Sequence, residues 1–215
     1  MSLSTLLHNH SISAEPDSVE VLLDNASHSK DFYVLLIGAA LLAATAIYMD
    51  SIPVLIASMI IAPLAYPILA LGFAIATRDW KLLLRLVILF LIACIASFSL
   101  AIVVTLLFND ERVDNVFIGF TGNRFLAAIV ALVAGAIGAY GIIRPKVSSA
   151  ITGVAIGVSL MPPLVAAGVG VATNDGTLAV NAFILFVINV ISILIASTII
   201  FFLFNVKSNN ESDHD

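Results

Sequence analysis

Polar and apolar residues are segregated along this chain into long blocks. Apolar runs cover residues 33–49, 52–76, 81–108, 125–143, 147–173 and 178–204, each at least 17 residues long. A helix rising 1.5 Å per residue needs about 20 residues to cross the hydrocarbon of a bilayer, so the pattern predicts six helical spans. The runs lack the period-two alternation of barrel strands, and in lipid only helices and closed barrels satisfy the backbone. Tyr33, Tyr48, Trp80, Phe108, Phe125 and Tyr140 stand at the run ends, where interfacial aromatics belong. In the polar tail 1–31, Asp17 followed by Glu20 and an apolar VLL predicts a short surface helix opened by a capping box. Residues 32–108 and 125–206 then form two three-helix halves, joined by the linker 109–124 and followed by the acidic tail 207–215.

The second and fifth runs carry prolines near their centres, Pro63 and Pro67 in one, Pro162 and Pro163 in the other. An interior proline removes a helix hydrogen bond and clashes with the preceding turn, so both helices are predicted to break there. The two regions also echo one another. Pro67–Ile92 and Pro163–Ile188, 96 positions apart, are identical at 11 of 26 positions, including Pro67/Pro163, Gly72/Gly168, Thr77/Thr173, Asp79/Asp175 and Phe90/Phe186. In so apolar a chain chance supplies roughly a tenth, or about three matches.

Charge turns the repeat into a topology. With six spans, one face collects Lys30, Arg78, Lys81, Arg85, Arg144, Lys146 and Lys207, and the other only Arg112 and Arg124. If the proline segments were re-entrant hairpins the basic residues would divide four against five. The positive-inside rule demands a bias, so six spans are expected, with both termini cytoplasmic. Three spans per half is an odd number, so the halves enter the membrane from opposite sides. The expected fold is an all-α polytopic membrane protein built as two inverted three-helix repeats, with helices 2 and 5 broken at prolines.

Composition agrees: 61% of the 215 residues are hydrophobic and 11% charged. The basic residues are too scattered for a nucleic-acid footprint. The single cysteine, Cys94, excludes a disulfide within the chain, and CxxC motifs are absent. His8 and His10 read as a solvated tail, with no further ligands to complete a metal site. No histidine or carboxylate lies inside a predicted span, and no nucleotide loop or HExxH motif is present. An enzyme or a proton pump is therefore disfavoured, and no cofactor is implied. The N-terminus lacks the basic and apolar regions of a cleavable signal peptide, so the first span is expected to direct insertion.

Candidate site residues follow from the breaks. Matched interruptions in inverted halves point to a substrate site at the midplane, which nominates Ser58, Pro63, Pro67, Ser159, Pro162 and Pro163. Asn181, Asn189 and Ser192 are polar residues of the last span, suited to lining a path or to bridging helices. Asp79 and Asp175 each precede a long span and read as N-caps. Arg124 opens the fourth span as an interfacial anchor. The glycines of spans four and five allow close helix contacts, within one chain or in a homo-oligomer.

The phrases DSIPVLIASMIIAPLAYPILALG (50–72), AITGVAIGVSLMPPLVAAGVGVA (150–172) and INVISILIAS (188–197) resemble the prokaryotic "uncharacterised hydrophobic domain" proteins, domain-of-unknown-function family 389. Ser51, Met59, Pro63, Leu64, Pro67 and Ile68 match the first phrase of that family; Gly153, Val154, Ala155, Ile156, Pro162, Pro163, Leu164 and Gly168 match the second, and Asn189 falls on its asparagine. Ala57 stands where the family usually has glycine. The resemblance implies a prokaryotic inner-membrane protein and no settled activity. Two expectations result. One is a secondary transporter or channel-like permease for a small neutral or anionic solute, bound at midplane between the broken helices. The other is a membrane scaffold or sensor that binds a partner or lipid without transport. A hydrated cavity reaching the breaks would distinguish the first.

Overall fold

A computed structural model describes residues 16–108, 123–144 and 149–206, with side chains omitted at 16–18 and 149–159. Among the described residues the structure is all-helical: α1 Pro16–Asn25, α2 Lys30–Tyr48, α3 Ile52–Ile61, α4 Ala65–Ala76, α5 Trp80–Phe108, α6 Arg124–Ile143, α7 Ser149–Ala172 and α8 Gly176–Leu203. Four of these (α2, α5, α6, α8) are long and apolar enough to cross a membrane, and α3 with α4 makes a fifth if the bent pair is one span. This is compatible with a multi-pass membrane protein. His8, His10, the 109–122 part of the linker, Lys146 and the tail from Lys207 lie outside the described residues.

α2, α5, α6 and α8 start where the sequence supplies a side-chain cap. Ser29 accepts from the Phe32 amide before α2, and Asn123 from the amides of Phe125 and Leu126 before α6. The capping-box segment does form a helix, α1, but not merely a surface one. Leu22 is fully buried and α1 packs on α4 and α6. Leu22 of this ten-residue helix and Ala26, just past its end, are buried one turn apart on one face, and Val19 and Leu23 pack beside them.

The prolines act differently in the two halves. α3 ends at Ile61 and α4 starts at Ala65, with axes bent by 48°. Residue 62 precedes a proline and so is pushed out of the helical region, and Ala62 indeed has ψ 121. The expected break in the fifth helix does not occur: α7 runs unbroken through Pro162 and Pro163. The reason lies in the repeat register. Pro63 has Ser159 as its counterpart 96 positions on, so nothing forbids residue 158 a helical conformation. The prolines remove two N–H groups from the helical ladder of α7, and Leu160, Met161, Val165 and Ala166 around them are fully buried.

The chain path is fixed by contacts at the helix ends. The rings of Tyr48, closing α2, and Phe108, closing α5, lie 5.6 Å apart. Because α5 has 29 residues, its start is about 40 Å from that point. Residues 49–79 therefore travel the length of α5, and a 48° bend leaves α4 running onward rather than back. In the second half α6 and α8 touch at three levels in the same order. Arg124 meets Asn181, Gly135 meets Ile193, and Tyr140 meets Phe204. The two helices run parallel, and α7 returns the chain between them.

The echoed segments fold alike. Arg78 and Asn174 both adopt a left-handed conformation (φ 58 and 59) at the turn after α4 and α7. Thr77 and Thr173 donate to the carbonyls of Phe73 and Val169 at 2.9 and 3.0 Å. One Oδ1 of Asp79 accepts from the amides of Lys81 and Leu82, and Asp175 does the same for Thr177 and Leu178. The N-cap reading of both aspartates is what the structure contains.

Candidate functional site

The α3–α4 break is the most unusual backbone feature of the membrane region. Pro63 has no N–H, so the Met59 carbonyl lacks its helical donor. The Ala62 amide still donates to the Ser58 carbonyl at 3.0 Å. Below the break α4 begins at Leu64 without any side-chain cap. Its first amides, on Leu64, Ala65 and Tyr66, have no intrahelical acceptor. Pro67 sits in the first turn, where a missing N–H costs nothing. The break is thoroughly enclosed: Leu64 is 0% and Ala65 2% exposed. Ser58 is fully buried, and its hydroxyl donates to the Leu55 carbonyl of its own helix at 2.6 Å.

Both α3 and α4 pack against α7, and Ser58, Pro63 and Pro67 on one side and Pro162 and Pro163 on the other are all buried. The side chain of Ser159 lies outside the described residues. The two asparagines do not share a role. Asn181 is half-buried in the second turn of α8, where its Oδ1 accepts from Arg124 Nη2 at 2.7 Å. It bridges helices near their N-terminal ends and is not at the break. Asn189 is 5% exposed and lies about 12 Å further along α8, where it makes an interaction of its own. Ser192 is also buried, one turn beyond.

The helices are held close by matched glycines. A Cβ on Gly72 would lie 2.9 Å from Ser197 Cβ of α8, and one on Gly168 would lie 2.9 Å from Ala101 Cβ of α5. Ser197 and Ala101 are themselves 96 positions apart. Each half's second element thus packs on the other half's last helix at the same register. Phe90 and Phe186, an identical pair of the repeat, stack on one another at 6.5 Å and 8°. Sequence reasoning did not foresee this contact, although the matched identities were its signal. Nor did it foresee the Arg124–Asn181 bond, which joins residues 57 apart and leaves no local pattern.

The comparisons with known proteins bear on the same region. The sequence profile of a domain of unknown function, DUF389, matches residues 59–195. The chain belongs to this family. It is 32% identical over 192 residues to the uncharacterized protein MJ0678 of Methanocaldococcus jannaschii, covering 86% of this chain and 57% of that protein. The chain thus spans just over half the length of the curated relative it matches. No solved structure matches it. The DUF389 match begins at Met59, just before the break, and ends on α8 beyond Asn189, so it takes in the break and the whole of α7.

Proposed function

We propose that this DUF389 protein is a secondary carrier for a small neutral or anionic solute in a prokaryotic inner membrane. Its path would be six spans in two inverted halves, with both termini cytoplasmic. The onward course of α3–α4 and the return of α7 between parallel α6 and α8 support six crossings over re-entrant hairpins. The pairing of Gly72 with Ser197 against Gly168 with Ala101, and the meeting of Phe90 with Phe186, support a two-fold relation between halves.

One observation carries the carrier reading. The break leaves uncapped amides at the start of α4 buried deep in an apolar helix bundle. Such a helix start presents partial positive charge, suited to an anion or a carbonyl-bearing solute. Leu64 at the break and Leu160, Met161 and Val165 of α7 are fully buried. The hydrated cavity expected from the sequence is not found around these residues. An open channel does not fit that enclosure, whereas a carrier passes through an occluded state. The same dryness favours the second reading, a scaffold or sensor that moves nothing.

Proteoliposome uptake of a panel of small inorganic anions, carboxylates and polyols separates the two. Pro63→Ala restores an N–H for the Met59 carbonyl and should straighten the break. At least a ten-fold loss of flux is expected, with less effect from Asn181→Ala. Absence of uptake for every solute, with folded protein in the vesicles, removes the carrier reading.

A further inference from the structure

The repeat keeps its aspartate cap in both copies but changes the residues around it. Arg78, Trp80, Lys81 and Arg85 of the first copy correspond to Asn174, Gly176, Thr177 and Asn181 of the second. Every cation and the aromatic are thus confined to one copy, at the start of α5. Lys81 and Arg85 are four apart and exposed on the face that also exposes Trp80 (70%), Leu84 (65%) and Ile88 (55%). At 100° per residue these five fall within an arc of about 140°. The arc continues as a bare apolar stripe through Leu91 and Ile95. The nearest carboxylate, Asp79, is committed through Oδ1 to the amides of Lys81 and Leu82. Among the described residues, the side chains of Arg78, Lys81 and Arg85 have no ion-pair or hydrogen-bond partner.

We infer that this face is a binding site for an anionic phospholipid. Lys81 and Arg85, with Arg78 beside them, hold the headgroup phosphate; Trp80 lies at the glycerol level; Leu84, Ile88 and Leu91 carry an acyl chain. Arg85 is the decisive residue. It lies about 9 Å along the helix from Asp79, on an exposed apolar stripe from which its guanidinium snorkels to the headgroup level. The corresponding face of α8 keeps the apolar stripe, with Val180 57% and Ile191 51% exposed, and carries no cation of its own; the cation that reaches it, Arg124 of α6, donates to Asn181 at 2.7 Å. The inference does not depend on whether the protein transports anything.

The chain has one tryptophan, Trp80, and it stands within the site. Its fluorescence therefore reports directly on neighbouring lipid. Reconstituted full-length protein is titrated with brominated phosphatidylglycerol and brominated phosphatidylcholine. Stronger quenching by phosphatidylglycerol is expected from the wild type. The double variant K81T/R85N, which installs the residues of the second copy, should lower the preference by up to about thirty-fold, two cations at about 1 kcal/mol each. Arg144→Gln should leave it unchanged. Equal quenching by both lipids in the wild type, or an undiminished preference in K81T/R85N, overturns the inference. Loss of the preference on adding millimolar inorganic phosphate would also overturn it, since the site would then read free phosphate and not a lipid.

Discussion

Gly135→Ala offers the sharpest test of the helix packing. A Cβ there would lie 2.8 Å from both the Cα and the carbonyl oxygen of Ile193. Carbon atoms meet comfortably at about 3.5–4.0 Å, so α6 and α8 must separate by roughly 0.7 Å or more. Both obstructing atoms are backbone, so no rotamer change relieves them. Overpacking of this kind costs about 1–3 kcal/mol, which for a chain of this size lowers the melting temperature by roughly 2–4 °C per kcal/mol. Thermal unfolding in a fixed detergent, followed by near-ultraviolet circular dichroism, measures the shift. Two controls give the argument its shape. Gly38 has nothing within 4 Å of its Cβ position, so Gly38→Ala should be neutral or stabilising. At Gly72 the obstruction is the side chain of Ser197, so Ser197→Gly should rescue Gly72→Ala, whereas Ile193→Gly should not rescue Gly135→Ala. A wild-type melting temperature for Gly135→Ala, or rescue by Ile193→Gly, would show that the helices do not approach as described.

Further tests reach the turns and the cysteine. Asp79→Ala and Asp175→Ala each delete a cap that accepts two amides, and each should lower stability by about 1 kcal/mol in the same unfolding assay. Arg78→Gly and Asn174→Gly should be tolerated or mildly stabilising, because both residues hold positive φ, while Asn174→Val at that backbone geometry should be clearly destabilising. Cys94 is free and buried on α5; a membrane-permeant maleimide should label it only after denaturation, and rapid labelling of native protein would contradict its placement.

What the sequence disclosed was what a helix in lipid must disclose. The apolar runs marked the helices to within a few residues, and the recurrence of Thr, Asp and Gly foretold two turns with the same hydrogen bonds. The two proline pairs looked equivalent and were not. Proline breaks the chain where a second proline four residues earlier bars the preceding residue from the helix, as Pro63 does for Ala62. With Ser159 in that place the helix continues. The chain break was legible at Pro63, whereas the partner of Asn181 was not, since Arg124 comes from another helix. Polarity in an apolar run signals a need for a partner without naming it. The two asparagines of α8 therefore read alike in sequence and serve different places in the structure.

The docking of α1 sets a constraint on how the molecule is made. Leu22 is fully buried where α1 packs on α4 and α6, yet α6 begins at Arg124, 102 residues later in the chain. At a synthesis rate of about 5–20 residues per second, α1 waits roughly 5–20 s for α6 to follow it. During that interval Leu22 and Ala26 have only Glu20 and Asp24 nearby to keep them soluble. The seating of α1 therefore requires chain from both halves to have come together beneath it.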